Sequence, residues 1–112
     1  MINLNYLKVN TDNDVTMITA LLEMYKSQIQ VQKLGLQKAF DEKNWGELGE
    51  VAHKAKNSFQ IVGMQDEANN LQQLEILCQK EQDIHLYKDF LDRFIVACDN
   101  SVKEIEDGID LS

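Results

Sequence analysis

The stretch that decides the fold runs from residue 44 to residue 64 and reads NWGELGEVAHKAKNSFQIVGM. At roughly 100° of rotation per residue, its apolar side chains fall on one side of a helix. Asn44 can cap the first turn, Glu47 can close a capping box, and Gly63 suits the left-handed position just past a helix end. The sequence therefore predicts a helix from this cap to about residue 62. The residues predicted to face inward are Leu48, Ala52, Ala55, Phe59 and Val62, with Val51 at the edge.

The same kind of periodicity predicts helices on both sides of this stretch. A short lead-in helix is expected at about 3–9, and a long helix follows from the cap residues 11–14 to about residue 42. Two more are expected at about 66–80 and 84–106. Apolar residues recur in the long helices at steps of three, four or seven, which is typical of helices with one buried face.

These helices predict one all-α domain over residues 1–112, with 107–112 as a flexible tail. No linker or strand signal divides it. Asp83 is expected to cap the last helix, and Gly35 is a candidate position for a bend in the long helix. Four amphipathic helices with short connections favour an antiparallel up-and-down four-helix bundle, here preceded by the lead-in helix.

The charge balance limits the classes of partner. The chain has 11 Lys and Arg against 19 Asp and Glu, a formal net charge of −8, which disfavours nucleic acid and anionic membrane surfaces. No apolar run approaches the ~20 residues that span a bilayer, and the amino terminus does not resemble a secretory signal. Cys78 and Cys98 are expected to be buried free thiols in the cytoplasm. We expect a monomer, because the charge opposes self-association and no apolar seam should remain once the bundle closes.

His53 is predicted to point away from the core. On the helical wheel it lies about 140° from the centre of the buried face. Lys56 follows on the same strip, Gly49 lies one turn before, and Gln60 lies two turns after. A surface histidine alone is usually idle, so its neighbours decide its interpretation. Ser58 lies to the side of this strip and is expected to be a packing residue.

Residues 52–64 resemble the signature of the histidine-containing phosphotransfer (HPt) domain family. In that signature Ala-His-x-x-Lys-Gly-Ser/Ala is followed by an apolar residue and glycine. Asn44-Trp45 and Leu74-Glu75 are similar to further family patterns before and after it. One residue departs from the family, since Asn57 stands where glycine is usual. The residues that match are Ala52, His53, Lys56, Ser58, Val62 and Gly63.

The resemblance implies a phosphorelay intermediate with His53 as phosphoacceptor and Lys56 stabilising the phosphoryl charge. It implies partner contacts at Gly49, Asn57 and Gln60. The partners would be the receiver domain of a response regulator or a hybrid sensor histidine kinase. The domain would be a carrier rather than an enzyme. It would hold no metal or cofactor, with Mg²⁺ expected on the partner receiver.

Two alternatives stay open. Asn57 could mark a non-phosphorylated HPt-like module that binds receiver domains, or the chain could be an unrelated helical adaptor. His85 is expected to be a solvated residue at a helix end, and a metal site joining it to His53 is not expected.

Overall fold

The computed structural model describes residues 1–111, and this part of the chain contains no strand. The prediction of an all-α protein is confirmed. A 3₁₀ turn, Ile84–Leu86, precedes the last helix. The helices are α1 (Leu4–Asn10), α2 (Val15–Asp41), α3 (Trp45–Ile61), α4 (Gln65–Lys80) and α5 (Tyr87–Asp107). Within residues 1–111, no helix is both long and apolar enough to span a membrane.

The start of α3 is capped as predicted, but the capping box does not form. The Asn44 side chain accepts a hydrogen bond from the Glu47 amide at 3.1 Å. In a capping box the Glu47 carboxylate would accept from the backbone N–H of Asn44. That backbone N–H donates instead to the carbonyl of Ala39 at 2.9 Å. Because the turn from α2 into α3 is tight, a backbone carbonyl at the end of α2 satisfies this N–H and no side chain is needed.

Gly63 ends α3 in the predicted left-handed conformation, with φ of +71°. It also lets α1 pack against the end of α3. A Cβ placed at Gly63 would lie 2.7 Å from Cβ of Asn3 and 2.9 Å from Cβ of Tyr6. The contact is extended by the Asn3 amide, which donates to the carbonyl of Val62 at 2.9 Å.

The prediction that Asp83 caps the last helix is wrong. Asp83 is left-handed, with φ of 53°, and its side chain makes no capping hydrogen bond. The carbonyl of Asp83 accepts from the Leu86 amide, which forms the 3₁₀ turn. Tyr87 then starts α5, and its hydroxyl donates to the carbonyl of Leu77 at 2.9 Å. Burial of Tyr87 against α4 therefore fixes where α5 begins.

The core takes one face from each long helix. Tyr25 is fully buried at its centre, with its hydroxyl 2.6 Å from that of Ser101. Cys78 and Cys98 are buried free thiols, as predicted, and burial raises the pKa of each to about 11. The largest fully buried side chains are Tyr25, Tyr87, Phe59, Phe94, Leu7, Ile18, Ile29, Leu36, Leu48, Leu71, Leu74 and Val62.

Neighbouring helices contact one another in a regular order. Between α2 and α3, Gln32 accepts from Ser58. Gly35 packs beside Val51, where a Cβ would lie 3.4 Å from Val51 Cγ1. Residue numbers thus rise along one helix as they fall along the other. The bend considered at Gly35 does not interrupt α2, which runs on to Asp41.

Two expectations concern the surface. The flexible tail at 107–112 stays a prediction. Two of its residues, Ile109 and Leu111, are partly buried against the core. Its last residue, 112, lies outside the described residues. The expectation that no apolar seam would remain is wrong. The outer face of α2 leaves Met17, Met24, Val31 and Leu34 exposed by 40 to 68%.

Candidate functional site

His53 lies in the middle of α3 with its side chain 51% exposed. Its ring nitrogen Nδ1 lies 2.8 Å from Oε1 and 3.1 Å from Oε2 of Glu75, which comes from α4. An ionised carboxylate can only accept hydrogen bonds, so Nδ1 carries the proton in this pair. The other nitrogen, Nε2, then keeps its lone pair and is free for chemistry.

Lys56 joins His53 at the same carboxylate. Its Nζ lies 3.6 Å from Oε2 of Glu75, and its side chain is 14% exposed. The sequence placed Lys56 on the strip of His53, and the structure brings both to one carboxylate. The ammonium is paired and mostly buried, whereas the wheel placed it on an exposed strip. The three side chains form one compact cluster, which we call the His53–Glu75–Lys56 triad.

The role of Glu75 was missed by sequence reasoning, which noted it only within the pair Leu74-Glu75. It lies 22 positions after His53, on a different helix. Spacing within a helix gives the relative directions of its own side chains but not the register of the neighbouring helix. The one available signal was a carboxylate beside an inward-facing leucine.

A groove between α3 and α4 leads to the triad. It encloses about 560 Å³. Its α3 wall lacks side chains at Gly46 and Gly49, which precede His53 by two turns and one turn. Gly49 is buried beneath the groove, and a Cβ there would lie 3.0 Å from Cβ of Cys78. The lining residues are Trp45, Gly46, Gly49, Glu50, His53, Lys54, Glu75, Cys78 and Gln79.

The remaining predicted site residues lie on α3 around the histidine. Asn57 and Gln60 are exposed. Asn57 lines a shallow surface depression toward α2, together with Val31 and Lys54. Ser58 is buried and donates to Oε1 of Gln32 at 2.9 Å, so its predicted packing role is confirmed. None of these three residues is hydrogen-bonded to the triad, and the role of Asn57 and Gln60 in partner contacts stays a prediction.

Within residues 1–111, no group of three or more His, Cys, Asp or Glu side chains is arranged to hold a metal ion. His85 lies exposed in the 3₁₀ turn, as expected for a solvated residue near a helix start. The triad therefore has a nucleophilic nitrogen, a carboxylate and an ammonium as its chemical groups.

A family model described as Hpt domain matches residues 20–110, a range that includes His53, Lys56 and Glu75. No curated protein and no solved structure shows a significant match to the chain.

Proposed function

Because the chain belongs to the Hpt domain family, whose members have a phosphotransfer role in two-component signalling, we propose that it is a phosphorelay intermediate carrying the phosphoryl group on His53. The observation that carries this proposal is the half-exposed His53 ring, whose Nδ1 is held by Glu75 while Nε2 stays open. Hpt domains interact with receiver domains, so the donor or acceptor is an aspartate of such a domain.

The step at His53 is an in-line displacement. The Nε2 lone pair attacks phosphorus, the N–P bond forms, and the bond from phosphorus to the aspartate oxygen breaks. The electron pair of that bond stays on the released aspartate carboxylate. The imidazole keeps its proton on Nδ1, so the phosphorylated ring carries positive charge. Glu75 faces that N–H and stabilises the charge as it develops.

Lys56 has a second role in this scheme. Its ammonium neutralises Glu75 in the resting protein. An arriving phosphoryl group brings new anionic oxygens next to the triad, and a lysine is a compact point charge that can move between anionic groups. We propose that Lys56 turns from Glu75 toward the phosphoryl oxygens as the N–P bond forms.

The partner completes the reaction. We propose that the receiver supplies the aspartate and Mg²⁺, and that the chain is a carrier rather than an enzyme. The receiver of a response regulator and that of a hybrid sensor histidine kinase are the proposed partners. They would dock on the His53 face, with Gly49, Asn57 and Gln60 around the ring. We also propose that the chain itself is located in the cytoplasm.

We also propose that α2 to α5 form an antiparallel up-and-down bundle with α1 as its lead-in helix. The support is the order of contacts between neighbours. Residue numbers run in opposite directions in the pairs of α2 with α3, α3 with α4, α2 with α5, and α4 with α5. The supporting pairs are Gln32–Ser58, Gly35–Val51, Gly49–Cys78, His53–Glu75, Tyr25–Ser101, Ile29–Cys98, Glu67–Arg93 and Leu77–Tyr87.

The test uses the fact that the chain has only two histidines. Incubation with a phosphorylated receiver should label the wild type with an acid-labile phosphate, and His53→Gln should abolish the label. His85→Gln is the matched control and should label like the wild type. Intact-mass spectrometry and circular dichroism check the stoichiometry and the fold.

Two results would contradict the proposal. Label on folded His53→Gln would remove His53 as the acceptor. Receiver binding that is unchanged in His53→Gln, while no phosphodonor labels the wild type, would favour the receiver-binding module without phosphoryl chemistry.

A further inference from the structure

The acidic residues of the chain are distributed unevenly around His53. Three helical stretches, 24–40 in α2, 51–61 in α3 and 68–80 in α4, together carry six lysines and a single acidic residue, Glu75. The other 18 acidic residues lie outside these stretches, together with the other five lysines and arginines. The net charge of −8 therefore comes from the rest of the chain, and the three stretches are basic.

The three stretches lie side by side and surround His53. α2 meets α3 where Gln32 contacts Ser58, and α3 meets α4 where His53 contacts Glu75. Glu75 is 15% exposed and is paired with Lys56, so it adds little negative charge to the surface. We call the exposed side of these stretches the acid-poor belt. Its exposed polar side chains include Ser27, Gln28, Asn57, Gln60, Gln72 and Gln79.

Acidic residues are concentrated on the opposite side of the molecule. α5 packs against α2 and α4 and lies across the core from α3. It carries six acidic residues. Lys26 and Lys33 of α2 turn toward it and pair with Glu106 at 3.9 Å and Asp99 at 2.7 Å. The molecule thus has an acidic side at α5 and a basic side that holds His53.

Two exposed charges next to His53 show in which direction the belt extends. Lys54 follows His53 and lines both the groove toward α4 and the depression toward α2. It forms no ion pair with any residue that the structure describes, so its charge is open to a partner. Glu50, one turn before His53, is exposed and ends the acid-free part of α3. The belt therefore extends from His53 toward Gln60.

A receiver presents negative charge where it meets His53. Its aspartate is a carboxylate, and the donor form adds the phosphoryl group itself. Mg²⁺ is held in proteins by carboxylates and phosphate oxygens. A chain of net charge −8 repels such a partner in most orientations. The acid-poor belt is the side on which this repulsion is weakest, so its charge is complementary to that of a receiver.

We propose that the acid-poor belt steers a receiver with an acidic transfer face onto His53 and sets its orientation during docking. This inference rests on the proposed function, since the receiver is the partner proposed there. It adds the property of the receiver that the surface selects, which is negative charge around the aspartate. Steering of this kind acts mainly on the association rate and weakens as the ionic strength rises.

Charge substitutions at Gln28 test the steering. Gln28 is exposed on α2 and lines the depression toward Asn57 and Lys54, outside the triad. The probe is a phosphorylated receiver at ~0.1 M salt. Gln28→Glu should lower the second-order rate constant of transfer about twofold, and Gln28→Lys should raise it about twofold. Both effects should disappear at ~1 M salt, where the Debye length falls to ~3 Å.

Asn100 provides the matched control, because it is exposed on α5. Asn100→Glu and Asn100→Lys make the same charge changes on the far side of a molecule that is 17 to 21 Å thick. The Debye length is ~10 Å at ~0.1 M salt, so both variants should transfer at the wild-type rate. Glu50→Gln gives a second reading, since removal of the acid at the edge of the belt should speed transfer.

Equal transfer rates in all these variants would overturn the steering and leave the proposed function intact. Slower transfer in both Gln28 variants would also overturn it, because an electrostatic effect changes sign with the charge. If no receiver phosphorylates the wild type, the proposed function fails, and association of the unphosphorylated receiver decides on the belt. Association rates that the two Gln28 variants do not shift in opposite directions, or no association at all, then remove it. Circular dichroism checks the fold of each variant.

Discussion

Glu75 determines what the imidazole of His53 can do. A histidine whose Nδ1 faces water exchanges freely between its two neutral forms, and only one of them has a nucleophilic Nε2. Glu75 is 15% exposed and lies within 3.1 Å of Nδ1 through both oxygens. A hydrogen bond to a charged acceptor is worth roughly 1.5–3 kcal/mol, which is enough to select one tautomer.

Glu75→Gln should weaken that selection. The amide keeps the shape of the carboxylate but loses its charge and gains a donor, so the form protonated on Nε2 becomes populated. Imidazole ¹⁵N chemical shifts report the ratio of the two neutral tautomers. We expect phosphotransfer from a receiver to slow about tenfold, or ~1.4 kcal/mol of barrier.

Glu67→Gln is the control for that substitution. Glu67 lies on the same helix as Glu75 and is similarly buried. Its carboxylate pairs with Arg93 of α5 at 3.1 Å and not with His53. Its replacement should leave both the tautomer ratio and the transfer rate unchanged. An unaltered tautomer ratio and rate in Glu75→Gln would show that Glu75 does not position the ring.

At the scale of the helix, Gly49 sets how closely α3 approaches α4. Its missing side chain lets the backbone of α3 come near Cys78, and this approach brings Glu75 under His53. Sequence reasoning predicted the direction of His53 from spacing within α3 alone. It did not predict the partner on α4, because the register between two helices depends on contacts such as Gly49 with Cys78, which no local pattern encodes.

Gly49→Ala should destabilise the protein. The added methyl would lie 3.0 Å from Cβ of Cys78, and overpacking costs typically ~1–3 kcal/mol, offset by up to ~1 kcal/mol of helix propensity. Gly46→Ala is the control in the same helix, since the nearest atom to its Cβ is Asn44 Oδ1 at 3.9 Å. Urea unfolding should give a lower midpoint for Gly49→Ala and an equal or higher one for Gly46→Ala. The reverse order would contradict this role of Gly49.

The helix ends show where local chemistry suffices for prediction. Asn44 and Gly63 were predicted because a cap or a left-handed residue is satisfied by its own neighbours in the chain. Asp83 was predicted wrongly because the burial of Tyr87, and its hydrogen bond to Leu77, decide where α5 starts. A tertiary contact there outweighs a local preference.

At the scale of the whole molecule, the core encloses two thiols in apolar surroundings. Cys78 and Cys98 are 2% and 1% exposed, and burial raises the pKa of each from 9.0 to about 11. The folded state therefore keeps both protons at a pH where the unfolded chain releases them. The stability that this provides is fully present below pH 9 and is lost as the pH rises toward 11.

The free energy of unfolding should accordingly be nearly constant from about pH 7 to 8.5 and fall at higher pH. Between pH 8 and 10 we expect the thiols to remove about 2–3 kcal/mol, since each shift of one unit corresponds to ~1.4 kcal/mol. Guanidinium titrations at these two pH values measure the loss.

Tyr87, whose pKa burial raises to about 12, acts mainly above this range. The hydrogen bond to Asp99 raises the pKa of Lys33, so this surface pair stays charged over the same range. The double variant Cys78→Ala, Cys98→Ala should start less stable at pH 8, because it leaves small cavities, but lose less between pH 8 and 10. Equal losses in the variant and the wild type would show that the two thiols do not control stability at alkaline pH.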